Sequence, residues 1–367
     1  MAVAVGLDIG SGAVRAAVID IGKSAPVMRR FAEMPLPPGA VVSGEIIDAG
    51  AVTEAVTALW RRNKLPRKRV VIGLANQRVI VRQVDVPHLV EAEMVEALPF
   101  QVQDAIPIPV EDAVLDYVPL EEFNTPDGDL MMSVLVIAAQ REMADGLMAV
   151  AKSAGLSVLA IDLTAFGLVR AAFGADLLIG GDGPQGLLDI GASMSQIAVV
   201  RGGITRFVRI LPVGGNQFTE DLKAALSVSF EDAEELKRVV GVAPEGMPEG
   251  DSDQIAARRT LTRTADGLIE EIRGSINYYL TQAGEHNLDR LVVSGNGARL
   301  PHLANRVARS LSTRVEPVRV LDHIGVGRIG MTEGQLLDLQ PVLPASVGLA
   351  MWGKFVVPPS NRFAHVG

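Results

Sequence analysis

Two short stretches in opposite halves of the chain repeat one pattern of residues. Residues 6–22 read GLDIGSGAVRAAVIDIG, and residues 187–203 read LLDIGASMSQIAVVRGG. When Asp8 is aligned with Asp189, the isoleucine and glycine that follow coincide, and so does an alanine–valine pair further along. Because internal repeats mark duplicated architectures, this match predicts that the two halves of the chain share one fold.

Each copy of the repeat predicts a β-hairpin whose turn can bind phosphate. An apolar strand, 3–7 or 186–188, ends at the aspartate, a turn of small residues follows, and a second strand covers 13–20 or 195–201. Glycines let backbone N–H groups approach a phosphate closely, and a carboxylate at a strand end can hold Mg²⁺ or its water. One such turn alone is most often an ordinary hairpin, but two that face each other would contact a phosphate chain from both sides. The candidate phosphate-binding residues are Gly10, Ser11, Gly12, Gly191, Ala192 and Ser193, and the candidate metal ligands are Asp8 and Asp189.

Composition limits the class of fold and the compartment. The 367 residues, 48% hydrophobic and only 4% aromatic, allow two cores built from Val, Leu, Ile and Ala, which suits an α/β protein with sheets covered by helices. The net charge of −9 argues against nucleic-acid binding. The absence of cysteine excludes disulfides, thiolate catalysis and cysteine zinc sites. With no signal peptide and no apolar run long enough to span a membrane, we expect a cytoplasmic protein that reaches the membrane only through a partner.

One basic cluster departs from the acidic balance of the chain. We favour a solvated helix end and loop for this cluster, and the alternative is weak contact with an anionic membrane surface. Its members are Arg61, Arg62, Lys64, Arg67, Lys68 and Arg69.

Helices and strands are also predicted around the two hairpins from hydrophobic periodicity and turn residues. In the first half these are a helix over 51–62 and strands over 70–74 and 79–84, then an α+β insertion with a helix over 89–100, strands over 113–119 and 130–139, a helix over 142–154 and a strand over 157–161. In the second half they are helices over 218–226, 230–240 and 255–282, a mobile loop over 242–253, a strand over 290–294, and a helix over 301–311 with proline at an early position.

Three motifs in this order resemble those of a known superfamily. GLDIGSGAVR, LLDIGASMS and VVSGNGARLPHL are similar to the phosphate 1, phosphate 2 and adenosine motifs of the actin, Hsp70 and hexokinase superfamily. Within it the chain most resembles the PilM family of type IV pilus assembly proteins, in the FtsA-like branch. That closer likeness rests on LPPGAVVSGEIID (36–48), RVIVRQVDVP (78–87), EALPFQVQDAIPIPVEDAVLDYVPL (96–120), LAIDLTAFGLVRA (159–171) and PVGGNQFTEDL (212–222).

The resemblance implies an actin-like ATPase fold, with duplicated ribonuclease-H-like halves and a 1C-type α+β insertion. Four subdomains would surround a central cleft. They are 1A (1–86, 161–182 and 344–367), 1C (87–160), 2A (183–213 and 287–343) and 2B (214–286).

The resemblance also implies further ligand contacts. Arg15 stands where actin has a lysine that reaches the phosphates, although a guanidinium is not an equivalent donor. Glu234 and Lys237 share one helix face and resemble a pair that bonds ribose and base, with a surface salt bridge as the equal alternative. Small residues would lie close to the nucleotide: Gly214 and Gly215 at the start of subdomain 2B, and Gly295, Gly297 and Ala298 around the adenosine.

Asp162 is the candidate for positioning the attacking water, because relatives place a polar residue at the start of the connecting helix. The alternative, slightly favoured, is a simple helix N-cap. No stronger general base is evident, so we expect at most slow ATP hydrolysis.

The leading functional hypothesis is a cytoplasmic scaffold of the pilus assembly platform. It would bind ATP and Mg²⁺, recruit the N-terminal cytoplasmic peptide of a PilN-like bitopic inner-membrane protein, and so lie at the inner face of the membrane. Other platform components and self-association are further expected contacts. An FtsA-like filament-forming division or cytoskeletal protein is one alternative, but prolines interrupt residues 352–359, where a membrane-binding amphipathic helix would be needed. A small-molecule kinase of the same superfamily is another, but no sugar-binding signature is present.

Overall fold

A computed structural model describes residues 3–22, 25–179, 183–243 and 252–354. Its strands are β1 (Val3–Ile9), β2 (Ala13–Asp20), β3 (Val27–Pro35), β4 (Val41–Val42), β5 (Glu45–Ile46), β6 (Val70–Leu74), β7 (Ile80–Pro87), β8 (Ala113–Asn124), β9 (Leu130–Gln140), β10 (Val158–Leu163), β11 (Gln185–Ile190), β12 (Ser195–Arg201), β13 (Ile204–Leu211), β14 (Arg290–Ser294), β15 (Val315–Pro317) and β16 (Gly325–Val326). Its helices are α1 (Ala49–Asn63), α2 (Glu91–Val102), α3 (Arg141–Ser153), α4 (Thr164–Phe173), α5 (Asp176–Ile179), α6 (Gly215–Leu226), α7 (Phe230–Val240), α8 (Ser252–Ala283), α9 (Leu303–Leu311), α10 (Glu333–Leu339) and α11 (Pro344–Ala350).

The two largest sheets have the same strand order, which confirms the duplication. The first sheet runs β10-β6-β1-β2-β3-β16, and the second runs β15-β14-β11-β12-β13. In both, three consecutive strands form an antiparallel meander. A parallel strand then pairs with the first strand of the meander, and a second parallel strand pairs with that one. Parallel neighbours need long crossover connections, and helices supply them in each half.

Helix α4 lies between the two sheets and joins their cores. Val14 of the first sheet and Leu168 of α4 belong to the same buried cluster as Leu187, Ala198 and Val208 of the second sheet. The other face of the second sheet forms a separate core with helices α6 to α9. The connecting helix α4 therefore packs against both large sheets.

Helix α11 packs so closely on α4 that the contact requires glycine. A Cβ on Gly348 would lie 1.7 Å from the carbonyl oxygen of Gly167, far inside van der Waals contact. Close approach of two helix backbones maximises dispersion contacts between them.

The insertion forms its own small unit. Strands β7, β9 and β8 make an antiparallel three-stranded sheet, and α2 covers one face through a core that includes Met94, Leu98 and Tyr117. Pro99 lies inside α2 without ending it. The four subdomain boundaries stay a prediction.

Several sequence predictions were wrong in detail. Strand β10 continues through Asp162, so α4 begins only at Thr164. Helix α9 begins at Leu303, not at the predicted Pro301. The residue before it, His302, has a φ of 66°, which is outside the range of a right-handed helix, and it is the N-cap. Strands β3 and β13 were not predicted.

Two predictions fall wholly or partly on residues outside the described ranges. Of the predicted mobile loop, residues 244–251 are not described, whereas Ser252 already belongs to α8. Of the proline-interrupted segment 352–359, only 352–354 are described. Across the described ranges, no helix combines the length and apolar character needed to cross a membrane.

Candidate functional site

The two repeat turns have the same hydrogen bond at the same position. Gly10 N donates to Ala13 O at 3.1 Å, and Gly191 N donates to Met194 O at 2.8 Å. The residue opposite each aspartate is also equivalent, since Asp8 pairs with Arg15 across one hairpin and Asp189 with Gln196 across the other. The sequence repeat is therefore a repeat of turn geometry.

The two turns meet across the cleft. The hydroxyl groups of Ser11 and Ser193 are hydrogen bonded to each other. A Cβ on Gly12 would lie 3.9 Å from Cβ of Ala192, an ordinary van der Waals contact. Two stretches from opposite halves of the chain thus form the walls of one site.

A cavity of about 260 Å³ lies between these walls. The predicted site residues that line it are Asp8, Gly10, Ser11, Gly12, Arg15, Asp189, Gly191, Ala192, Ser193 and Gly295. The predicted residues that do not line it are Asp162, Gly214, Gly215, Glu234, Lys237, Gly297 and Ala298. The structure therefore gathers the predicted phosphate-side residues into one cavity, together with Gly295, while the other predicted adenosine-side residues lie outside it.

The cavity holds two carboxyl groups, Asp8 and Asp189, whose negative charges repel each other. Burial raises the pKa of Asp8, an effect that Arg15 reduces from 3.9 Å away and Glu33 reinforces. Burial also raises the pKa of Asp189, to about 6. The hydrogen bond that Ser294 donates to Asp189 lowers this pKa, whereas the negative charge of Asp8 raises it further. Two like charges held together out of water favour a bound cation.

Arg15 is held by carboxylates on both sides. Its Nε donates to Oε2 of Glu33 at 2.5 Å, while its Nη1 lies 3.9 Å from Oδ2 of Asp8. The guanidinium of Arg15 thus lines the cavity while it is paired with the carboxylate of Glu33. Glu33 was not predicted from the sequence as a site residue.

The start of α6 is bonded to the second turn. Gly215 N donates to Gly191 O at 2.9 Å. A Cβ on Gly215 would lie 3.5 Å from that oxygen, 3.6 Å from Cα of Gly297 and 3.9 Å from Nζ of Lys237. Residues predicted from separate motifs therefore converge on Gly215, beside the cavity.

Glu234 and Lys237 form a partly buried link between α7 and α6. Lys237 Nζ donates to Glu234 Oε2 at 2.5 Å, to Thr219 Oγ1 at 2.8 Å and to Gly215 O at 3.0 Å. Burial alone would raise the pKa of Glu234, but hydrogen bonds from Lys237 and Thr219 outweigh it and lower that pKa. The pair is more than a surface salt bridge, and its role in binding ribose or base stays a prediction.

The third motif packs directly on the strand that carries Asp189. Gly295 has a positive φ of 87°, and a Cβ there would lie 2.2 Å from Ile190 O. A Cβ on Gly297 would lie 2.3 Å from Cγ2 of the same isoleucine. These glycines are required by close backbone packing as well as by any ligand.

Asp162 is not placed as predicted. Its carboxylate is buried and forms an ion pair with Arg170, which also donates from Nε to Gly348 O at 3.0 Å. Burial raises the pKa of Asp162, and the charge and hydrogen bond of Arg170 act against the rise. The N-cap interpretation is wrong because the N-cap of α4 is Leu163. The side chain that lines the cavity at this point is Thr164.

Gln196 is the polar group that the sequence analysis missed. It lines the cavity, only 7% of its surface is exposed, and its Oε1 is buried without a hydrogen-bond partner. A buried unpaired oxygen is costly, so such groups call for an explanation. The repeat could have identified it, because Gln196 occupies the position equivalent to Arg15.

The donor set suits a hydrated cation better than a protein-enclosed metal. No group of three or more His, Asp or Glu side chains in the described part of the chain has the geometry of a metal site. Two carboxylates fit Mg²⁺, which keeps several waters and is usually held by one or two carboxylates together with phosphates.

One protein family and several solved structures resemble this chain over most of its length. The family model of the type IV pilus assembly protein PilM matches residues 6–354. A solved structure described as a PilM-PilN type IV pilus biogenesis complex has a TM-score of 0.81 and 28% identity, covering 97% of this chain and 99% of that one. MreB5 of Spiroplasma citri bound to AMPPNP has a TM-score of 0.54 at 13% identity over 88% and 92% of the two chains, which supports the actin-like fold alone.

Proteins of similar sequence include FtsA, as expected for the FtsA-like branch. The cell division protein FtsA of Bacillus subtilis is 22% identical over 329 residues, 79% of this chain and 73% of that protein. FtsA of Escherichia coli K12 is 25% identical over 189 residues, 46% and 43% of the two chains. The predicted actin-like fold is confirmed, and because the family model matches almost the whole sequence, the chain belongs to the family of the type IV pilus assembly protein PilM.

Proposed function

We propose that this chain is a nucleotide-binding scaffold of type IV pilus assembly, which binds ATP with Mg²⁺ between its two hairpin turns. The observation that carries the nucleotide part is the cavity lined from both sides by matching turns, each next to a buried carboxylate. Gly10 and Gly191, whose N–H groups close the turns, would let phosphates approach the backbone. Ser11, Gly12, Ala192 and Ser193 would supply backbone N–H groups to the phosphates. Asp8 and Asp189 would hold the Mg²⁺ or its water, and the metal would neutralise charge on the phosphates.

The unpaired Gln196 oxygen supports the same assignment. Rotation of its carboxamide towards the cavity would let this oxygen accept a hydrogen bond from a metal-bound water or a ligand hydroxyl group, which would satisfy an otherwise costly buried atom. Arg15 would approach the phosphates while remaining paired with Glu33. Gly214, Gly215, Gly295, Gly297, Ala298, Glu234 and Lys237 would contact the adenosine side.

Hydrolysis would be slow. Asp162 is committed to Arg170, so it is not proposed as a water-positioning residue. Thr164 and Gln196 are the polar side chains best placed to contact water, and neither is a strong base. Positioning without a base supports turnover at a low rate.

The proposal of a PilN-like partner rests on membership of the PilM family and on the similarity to the solved PilM-PilN complex, with 28% identity over nearly the full length. We propose that this chain recruits the N-terminal cytoplasmic peptide of a PilN-like bitopic membrane protein, in a groove between the predicted subdomains 1A and 1C. Such a partner would place the chain at the inner face of the cytoplasmic membrane.

Calorimetric titration with the N-terminal peptide of the PilN-like protein from the same genome tests the partner assignment. We expect saturable one-to-one binding, and no binding of a peptide with the same residues in scrambled order. Repeating the titration with ATP and Mg²⁺ present shows whether the cleft and the groove are coupled, since coupling requires different peptide affinities in the two states. Absence of binding with and without nucleotide would refute this assignment.

A further inference from the structure

The basic cluster Arg61, Arg62, Lys64, Arg67, Lys68 and Arg69 lies at one end of the first sheet, away from the cavity. All six side chains are exposed. The cluster ends where β6 begins, and β6 is parallel to β1, whose carboxyl end carries Asp8. Val70, which follows Arg69, pairs with Val5, three residues before Asp8. A strand rises about 3.3 Å per residue, so the near edge of the cluster is roughly 13 Å from the acidic cavity. That separation exceeds the ~10 Å over which ~0.1 M salt screens charge.

These cations are not used to neutralise the protein's own acids. Ion pairs hold many other surface arginines, such as Arg78 with Glu45 and Arg306 with Asp266. Within the described ranges, by contrast, no carboxylate oxygen lies within 4.0 Å of a charged nitrogen of the cluster. The positive charge is therefore available to an outside partner.

Two neighbouring elements add to the positive surface. Arg67 donates to the carbonyl oxygen of Ala154 at 2.7 Å, just beyond the last turn of α3, which carries the exposed Lys152. The exposed Arg30 of β3 donates to Asn63 O at 2.5 Å, at the end of α1. Eight cations, carried by α1, the loop after it, α3 and β3, thus lie at this end of the first sheet.

The backbone beneath the cluster is held firmly. Trp60 donates from Nε1 to Pro66 O at 2.9 Å, Ser157 N donates to Arg67 O at 2.7 Å, and Val5 N donates to Arg69 O at 3.1 Å. A fixed backbone lowers the entropy that is lost when the side chains contact a partner.

Two of the six residues occupy a backbone conformation that stability alone would not select. Lys64 ends α1 in the left-handed region, with φ 49° and ψ 47°, and Arg69 has a φ of 59°. Glycine or asparagine is the residue that usually ends a helix in this way. Ser227 and Ser312 end α6 and α9 in the same conformation, so the position itself is ordinary, but a lysine and an arginine occupy it here.

We propose that this cluster contacts the anionic headgroups of a membrane leaflet and orients the chain on that surface. The choice of a lipid surface rests on the proposed function, since a membrane-anchored partner would hold the chain beside such a leaflet. A leaflet touches only the end of the molecule that meets it, whereas a long nucleic acid would also meet the rest of a protein with a net charge of −9. On its own the contact gives reversible binding to an anionic surface, and it adds to the tether that the partner supplies.

Vesicle co-sedimentation of the full chain, without nucleotide or peptide, tests this contact separately from the proposed function. We expect binding to phosphatidylcholine vesicles that contain about a third phosphatidylglycerol at ~0.1 M salt, little binding to pure phosphatidylcholine, and loss of binding at ~1 M salt. Each neutralised cation should weaken partitioning about fivefold, so R61Q/K68Q should lower it about 25-fold. The control R259Q/R263Q removes two exposed cations from α8 and should change it less than twofold.

A second variant separates a binding role from a folding role. K64N should weaken partitioning about fivefold while the melting temperature stays equal or rises, because asparagine suits the left-handed conformation better than lysine. Absence of binding to the anionic vesicles would overturn the proposal. So would an equal loss in the α8 control, or tighter binding to duplex DNA than to the vesicles.

Discussion

Ser294 donates a hydrogen bond from Oγ to Oδ1 of Asp189 at 2.6 Å, and this bond joins the third sequence motif to the second. The two residues lie opposite each other at the carboxyl ends of the neighbouring parallel strands β14 and β11, Ser294 as the last residue of its strand and Asp189 as the last but one. The bond fixes the carboxylate at the edge of the cavity but does not offset its burial, because the pKa of Asp189 is still raised to about 6. A charge held at this cost is expected at a site that binds a cation.

Replacing Asp189 by asparagine should stabilise the free protein at neutral pH. The folded pKa of about 6 exceeds the ordinary value of 3.8, so the ionised group destabilises the folded state. A tenfold change in an acid dissociation constant corresponds to about 1.4 kcal/mol, so we expect D189N to raise the free energy of unfolding by about 1–3 kcal/mol at pH 7. Denaturant unfolding measures this, and an unchanged or lower stability would contradict it.

The pH dependence of that gain has a definite sign. A raised folded pKa gives stability that is fully present below pH 3.8 and lost as the pH rises through 6. The advantage of D189N over the natural sequence should therefore be largest at pH 7 and shrink towards pH 4.5. Because Ser294 can also donate to an asparagine oxygen, S294A in the same background is the control for the hydrogen bond itself.

Replacing Gln196 by methionine should separate stability from ligand binding. Methionine is similar in size and removes the buried unpaired oxygen, so we expect a gain of about 1–2 kcal/mol in the free energy of unfolding. If the oxygen accepts a hydrogen bond from the ligand or its water, the affinity for ATP with Mg²⁺ should fall about tenfold. Thermal unfolding and calorimetry report the two effects. Unchanged affinity would exclude a ligand contact.

The buried pair of Asp162 and Arg170 should act in folding and not in hydrolysis. D162A leaves a buried guanidinium unpaired and should cost about 3–5 kcal/mol, whereas the double variant D162L/R170M should cost far less. A slow ATPase, if present, should persist in the folded double variant. Loss of hydrolysis with ATP binding intact would instead restore the water-positioning role.

Two helix glycines should respond oppositely to alanine. G348A would place a Cβ 1.7 Å from Gly167 O and should cost about 3 kcal/mol or more by forcing α11 away from α4. G146A, in α3, meets nothing within 4 Å and should stabilise by about 0.5–1 kcal/mol. Equal effects of the two changes in unfolding experiments would contradict the close packing of these helices.

The features that local sequence could predict were those repeated within the chain. The hairpins beginning at Val3 and Gln185 followed from the repeat and from strand patterning. Their equivalence extends to the turn hydrogen bonds of Gly10 and Gly191. A position in one copy therefore constrains the same position in the other, which is also how Gln196 could have been found from Arg15.

Other features depended on contacts that no short window contains. The end of β10 was predicted too early because aspartate is a common N-cap residue. The strand continues through Asp162 because its buried carboxylate is paired with Arg170, which lies eight residues later in the sequence. Strand β13 carries Arg206 and Arg209 among its apolar residues and shows no clear alternation, so its pairing with β12 was not evident.

The nucleotide site is tested most directly by calorimetric titration of ATP with Mg²⁺ into the intact chain, beside the D8N and D189N variants. We expect one saturable site, a requirement for Mg²⁺, and at least a tenfold loss of affinity in each variant even though D189N is the more stable protein. Absence of binding to the natural sequence, or equal binding by all three proteins, would contradict the claim that the two hairpin turns form a nucleotide site.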